Sequence, residues 1–106
     1  MDVERIKFER TGGVTNMRFA ADLEPDDLSE EQVRTLSDLL DELDFAELPE
    51  RLLGKSPMPD QFTYTITVEA DDWTHTVITG DSSAGEKMQE LVELLYRAAR
   101  KKMRKQ

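Results

Sequence analysis

The sequence predicts an α+β fold of order ββαββα: a four-stranded antiparallel sheet with two helices on one face. Three observations predict it. Two pairs of segments alternate apolar with polar residues, two stretches carry apolar residues at helical spacing behind capping signals, and no linker, sustained repeat or long low-complexity tract breaks this order. The chain has 106 residues, 38% of them apolar. That length suits one core, since a domain of this size buries roughly 65% of its unfolded surface. A single domain over residues 1–106 follows, with the basic tail 100–106 expected to fray.

Ile6 and Phe8 alternate with Arg5, Lys7 and Glu9, and Met17, Phe19, Ala21 and Leu23 alternate with Asn16, Arg18, Ala20 and Asp22. Gly12-Gly13 between them marks a hairpin turn, because glycine takes the positive φ that such connections demand. Ser29 then stands where a helix cap belongs, with Gln32 placed to reach back to the cap amide and Leu28 placed to staple onto Val33. Val33, Leu36, Leu39, Leu40 and Leu43 fall on one face of the helix that follows, which should end near Asp44. Phe45, Leu48, Leu52 and Leu53, interrupted by Pro49, read as a turn or short helix packing back on the core.

Phe62, Tyr64, Ile66 and Val68 alternate with Thr63, Thr65, Thr67 and Glu69, and Trp73, His75 and Val77 alternate with Thr74 and Thr76. The short connection Ala70-Asp71-Asp72 makes them a hairpin, and β-branched threonines suit its solvated face. Ser83-Ala84-Gly85-Glu86 repeats the capping logic. Met88, Leu91, Val92, Leu95 and Ala98 or Ala99 line the buried side of the last helix.

Charge narrows the choice of partner. Six of the fourteen basic residues lie between Arg97 and Lys105, so the first 96 residues hold eight basic groups against 23 acidic ones, a net of −15. A surface this acidic repels nucleic acid and anionic lipid and steers toward a basic patch. Cations in the last helix turn complement its dipole, and they follow the apolar face rather than lying along it as in a membrane-surface helix. Neither an apolar leader nor a membrane-length run is present, and without cysteine there is no disulfide or thiolate chemistry. A cytoplasmic protein is expected.

Catalytic and cofactor motifs are not apparent. His75, the lone histidine, stands between two threonines with no nucleophile or carboxylate at a recognised spacing, and reads as a half-buried strand residue against Trp73 with locally bonded ring nitrogens. The acidic runs Asp22 to Asp27 and Asp38 to Glu47 lack the ligand spacing of a calcium loop. Gly12-Gly13 lacks the helix and lysine of a phosphate loop. No enzyme, cofactor or metal site is expected.

One segment stands out as a contact candidate. In Lys55-Ser56-Pro57-Met58-Pro59-Asp60, two prolines restrict the backbone around an apolar methionine, which reduces the entropy lost when a partner clamps it. The same residues also read as a stiffened connection with Met58 tucked onto the core.

Phe8-Glu9-Arg10-Thr11-Gly12-Gly13 with Met17-Arg18, then Asp44-Phe45 with Leu48-Pro49, then Pro59-Asp60-Gln61-Phe62-Thr63-Tyr64-Thr65-Ile66-Thr67-Val68-Glu69 with His75-Thr76-Val77, and finally Leu91, Leu94, Leu95 and Ala98-Ala99-Arg100, occur in an order and spacing that resembles the emfourin family. The resemblance implies a small bacterial inhibitor of protealysin-like metallopeptidases, zinc enzymes of the thermolysin fold. On that reading the partner is a thermolysin-like metallopeptidase, the inhibitor is a monomer, and loops occlude the substrate cleft. The candidate contacts are Pro57, Met58, Pro59 and Asp60, the turn Gly12-Gly13, and the acidic turn Asp71-Asp72. The alternative is a non-inhibitory acidic adaptor or subunit.

Overall fold

Alternation places the strands and decides which face they bury. The computed structural model describes residues 3–12, 18–52, 62–80 and 85–104. Strands β1 (Val3–Gly12), β2 (Phe19–Leu23), β4 (Phe62–Ala70) and β5 (Thr74–Gly80) pair antiparallel in the spatial order β2-β1-β4-β5. Ile6 lies opposite Leu23 and Val68, Phe8 opposite Ala21 and Ile66, and Ile66 opposite Val77. All of these but the half-buried Ala21 are buried, so one face of the sheet is the core face. The opposite face carries Lys7, Glu9, Thr65, Thr67 and Thr76. There Thr67 and Thr76 share a hydroxyl hydrogen bond of 2.9 Å, and Arg18 pairs with Glu9 at 2.9 Å. The expected α+β order, with four antiparallel strands and two helices, is the one observed.

A fifth, two-residue strand was not foreseen. After a 3-10 turn at Phe45–Glu47 the chain comes alongside β5, and β3 (Arg51–Leu52) pairs parallel to Ile78 and Thr79. The Ile78 amide donates to the Glu50 carbonyl at 2.6 Å. This gives the edge of β5 hydrogen-bond partners that no local pattern announces.

Helix α1 (Glu30–Leu43) starts as its sequence dictates. The Gln32 amide donates to Ser29 Oγ at 3.1 Å, and the Ser29 amide donates to Gln32 Oε1 at 2.9 Å, so two otherwise orphaned donors are satisfied reciprocally. The helix stops where Asp44 turns left-handed at φ 53°, a conformation that aspartate tolerates better than bulkier side chains. Leu36, Leu39 and Leu40 are buried, but Val33, expected on the same face, is 37% exposed. It lies one turn short of the covered part of α1, at the rim of an apolar cleft shared with Val3, Leu23 and Leu28.

Helix α2 (Glu86–Arg104) buries Met88, Leu91, Val92, Leu95, Ala98 and Ala99 against both α1 and the sheet. Its expected Ser83 cap lies outside the described residues. The helix continues through Arg104, and Lys102 Nζ donates to the Asp22 carbonyl at 2.6 Å and to Asp27 Oδ2 at 3.0 Å. The cations complement the helix dipole, and one of them also latches α2 onto the segment that joins β2 to α1.

Candidate protein-interaction site

The length of β1 separates two ends of the molecule. Val3 lies opposite Ala70 and Gly12 opposite Phe62, so nine residue steps, roughly 30 Å of strand, lie between them. At the first end β4 and β5 are joined by Asp71 and Asp72, both exposed, in a turn closed by the Ala70 amide donating to the Trp73 carbonyl at 2.8 Å. At the other end Gly12 takes φ 96°, a left-handed conformation that glycine adopts without strain. Gly12 and the Asp71-Asp72 turn are therefore not brought together.

Several chain segments meet at the Gly12 end. Phe62 sits opposite Gly12, Gly80 opposite Thr63, Leu52 opposite Thr79, and Phe19 opposite Arg10. The chain leaves and re-enters the sheet here on either side of residues 13–17 and 53–61, and leaves it for α2 before residues 81–84. Gly13, Pro57, Met58, Pro59 and Asp60 lie outside the described residues. Of the candidate contacts at this end, Gly12 is the one described.

Beside Gly12 the core face changes character. Arg10 follows Ile6 and Phe8 on the buried parity of β1, a position where the pattern calls for an apolar side chain. Its guanidinium lies 4.2 Å from the ring centre of Phe62, 4.4 Å from that of Tyr96 and 5.7 Å from that of Phe19. Behind it, Phe8 stacks on Tyr64 at 6.0 Å, and Phe19 meets Tyr96 at 5.3 Å. Five of the chain's seven aromatic residues thus surround or back one cation, an arrangement in which ring faces supply the negative potential that a carboxylate would otherwise give. Sequence analysis missed Arg10 because alternation was followed only through Phe8. The signal was a guanidinium two residues further on the same face.

Arg10, Tyr64, Gln89, Glu93 and Tyr96 line an open cleft of about 350 Å³ between the sheet and α2. The Glu93 carboxylate is engaged by Arg97, one helical turn along, and Arg100 lies 5.7 Å from the centre of the Tyr96 ring. Among the described residues this corner holds three guanidinium groups, Arg10, Arg97 and Arg100, beside the Glu93 carboxylate, on a chain whose net charge is −9.

The opposite end holds His75. Its Nε2 donates to the Leu48 carbonyl at 2.7 Å, which places the proton on Nε2, and its ring meets Phe45 edge-on at 5.9 Å, with Trp73 packing on Phe45 at 6.3 Å. The histidine is half-buried, as its strand position suggested, but its hydrogen bond reaches a carbonyl 27 positions away and ties the 3-10 turn to β5. Among the described residues no group of three or more His, Asp or Glu side chains is placed to hold a metal ion, and no helix is long and apolar enough to cross a membrane. Along α1, Glu30, Glu31, Asp38, Asp41 and Glu42 form an exposed acidic face, with Glu42 paired to Lys87 of α2 at 2.8 Å.

The sequence model of the emfourin family matches residues 8–96, from within β1 to within α2 and across every element between them. No curated protein and no solved structure matches the chain.

Proposed function

The chain belongs to the emfourin family, and on that premise we propose that it is a cytoplasmic inhibitor of a thermolysin-like, protealysin-type zinc metallopeptidase, occluding the substrate cleft with the connecting segments at the Gly12 end of the sheet. Membership itself suggests a metallopeptidase inhibitor rather than an enzyme, with a protease as partner. The observation that supports the finer reading is the convergence at one end of the chain entries to segments 13–17, 53–61 and 81–84. Segment 53–61 contains Pro57-Met58-Pro59, and the methionine suits the pocket for bulky apolar side chains next to the scissile bond. The Asp71-Asp72 turn, some 30 Å of strand away, faces solvent outside this contact.

The test is titration of a protealysin-type metallopeptidase with the purified protein, with a serine protease as control. Stoichiometric loss of the metallopeptidase activity alone is the expected result. Met58→Asp should weaken inhibition by at least about tenfold, the scale of burying a charge in an apolar pocket, while Asp71→Asn and Asp72→Asn leave it unchanged. Full inhibition by the Met58→Asp variant would remove the methionine anchor. The exposed acidic face of α1 favours a second reading, a non-inhibitory adaptor that docks on a basic partner. Salt separates the two: docking by charge weakens steeply as ionic strength rises, whereas occlusion anchored by apolar burial persists.

A further inference from the structure

Placing a guanidinium on the core face of β1 is costly unless something compensates its charge. The compensation at Arg10 is one-sided. The rings of Phe62 and Tyr96 approach the guanidinium carbon to 4.2 and 4.4 Å and attract its charge. Ring faces do not satisfy its N–H donors as an oxygen acceptor would. Among the described residues no carboxylate, carbonyl or hydroxyl accepts a hydrogen bond from Arg10, whereas the other half-buried cation, Lys102, binds two oxygens. Arg10 is half-buried and lines the open cleft beside Gly80, Gln89 and Tyr96. A leucine or methionine would pack between the same rings at lower cost, so packing alone does not account for an arginine here.

Electrostatics points to the missing acceptor. The Glu93 carboxylate in the cleft wall is already held by Arg97, and Arg100 adds a third cation beside Tyr96. This positive corner on an otherwise acidic chain is complementary to a single negative group, while the surrounding charge disfavours a polyanion. The aromatic clamp fixes the fork in advance, so little of the side-chain entropy that arginine normally loses on binding remains to be lost.

We propose that Arg10 is an anchor of the inhibitory contact and receives an aspartate or glutamate carboxylate of the metallopeptidase through a planar, two-pronged hydrogen-bonded pair. The proposal rests on the inhibitor reading above. The partner carboxylate lies where the Gly12 end docks.

The experiment compares the inhibition constants of wild type, Arg10→Gln, Arg10→Lys and Arg34→Gln against a protealysin-type metallopeptidase. Arg34 lies exposed on α1 and removes the same charge away from the cleft. Arg10→Gln should weaken inhibition about 30-fold or more, the scale of truncating one partner of a desolvated charge pair. Arg10→Lys, which keeps the charge but loses the fork, should fall between it and wild type, and Arg34→Gln should change inhibition less than about threefold. Arg10 also packs, so its Nε–H resonance in isotope-labelled wild-type protein supplies a reading that needs no mutation: addition of the peptidase should move it downfield. Inhibition by Arg10→Gln within threefold of wild type, equal losses in Arg10→Gln and Arg34→Gln, or an Nε–H resonance unmoved in the complex would each overturn the proposal. Wild-type protein that leaves the peptidase fully active would instead bring down the inhibitor reading, and this anchor with it.

Discussion

At the Asp71-Asp72 end of the sheet, Trp73 and His75 both pack against Phe45, and His75 Nε2 donates to a backbone carbonyl. At the Gly12 end, Phe8, Phe19, Phe62, Tyr64 and Tyr96 gather around Arg10, whose N–H donors find no acceptor among the described residues. Both ends are aromatic and both enclose a polar group. They differ in whether a described residue completes that group's hydrogen bonding. A polar side chain satisfied internally holds the fold together, as His75 does by tying the 3-10 turn to β5. One that is held rigid and left short of an acceptor is organised toward something outside the chain.

The widest test of this contrast removes one aromatic from each end. Phe8 and Phe45 are both 1% exposed, so replacing either with alanine should destabilise the fold by about 3–5 kcal/mol, read as a shift in denaturant midpoint. Their effects on inhibition should diverge. Phe8→Ala loosens the rings that hold Arg10 and should weaken inhibition even where the protein is fully folded, whereas folded Phe45→Ala should inhibit as wild type does. Equal inhibition by the two would erase the distinction between the ends.

A smaller perturbation sharpens it. His75→Ala removes one hydrogen bond and leaves the Leu48 carbonyl without its donor, a loss of about 1–3 kcal/mol. Melting should drop by several degrees with the inhibition constant unchanged, since nothing at the Gly12 end depends on the ring.

The smallest effect belongs to neither end. Lys87 of α2 pairs with Glu42 of α1 on the surface, and the hydrogen bond and charge of Glu42 raise the lysine pKa above its ordinary 10.5. A raised folded-state pKa means that the pair's contribution is fully present below 10.5 and is lost as pH climbs through the higher folded value. The melting difference between wild type and Lys87→Met should therefore be slight at neutral pH and vanish in strong alkali, with no change in inhibition at either end.

Much of the fold was legible because periodicity reports burial. The parity of Ile6, Phe8, Ile66, Val68 and Val77 identified the core face, and Ser29 with Gln32 located the start of α1. Three features escaped. Strand β3 pairs with β5 across more than twenty residues and is too short to have a period. Val33 continues a helical stripe past the point where its cover ends, and stripes carry no information about where that is. Lys102 looked like one cation among several, because its partners Asp22 and Asp27 are about 80 and 75 positions away. The site was harder still. A contact residue obeys no period, and Arg10 became visible only as an exception to one.

The strand order has a consequence in time. The first hairpin, β1 with β2, lies on one flank of the sheet, and β1 waits for β4, whose pairing joins Val3 to Ala70 and Gly12 to Phe62. A nascent chain carrying only the first half displays Ile6 and Phe8 with no strand to cover their other side. Closing the sheet then requires contacts some fifty to seventy positions apart, the kind of wiring that slows folding into the millisecond-to-second range. The clamp around Arg10 draws Phe62 from β4 and Tyr96 from α2. It is therefore complete only once α2 has left the ribosome, so that a copy made only as far as β5 lacks half of the clamp.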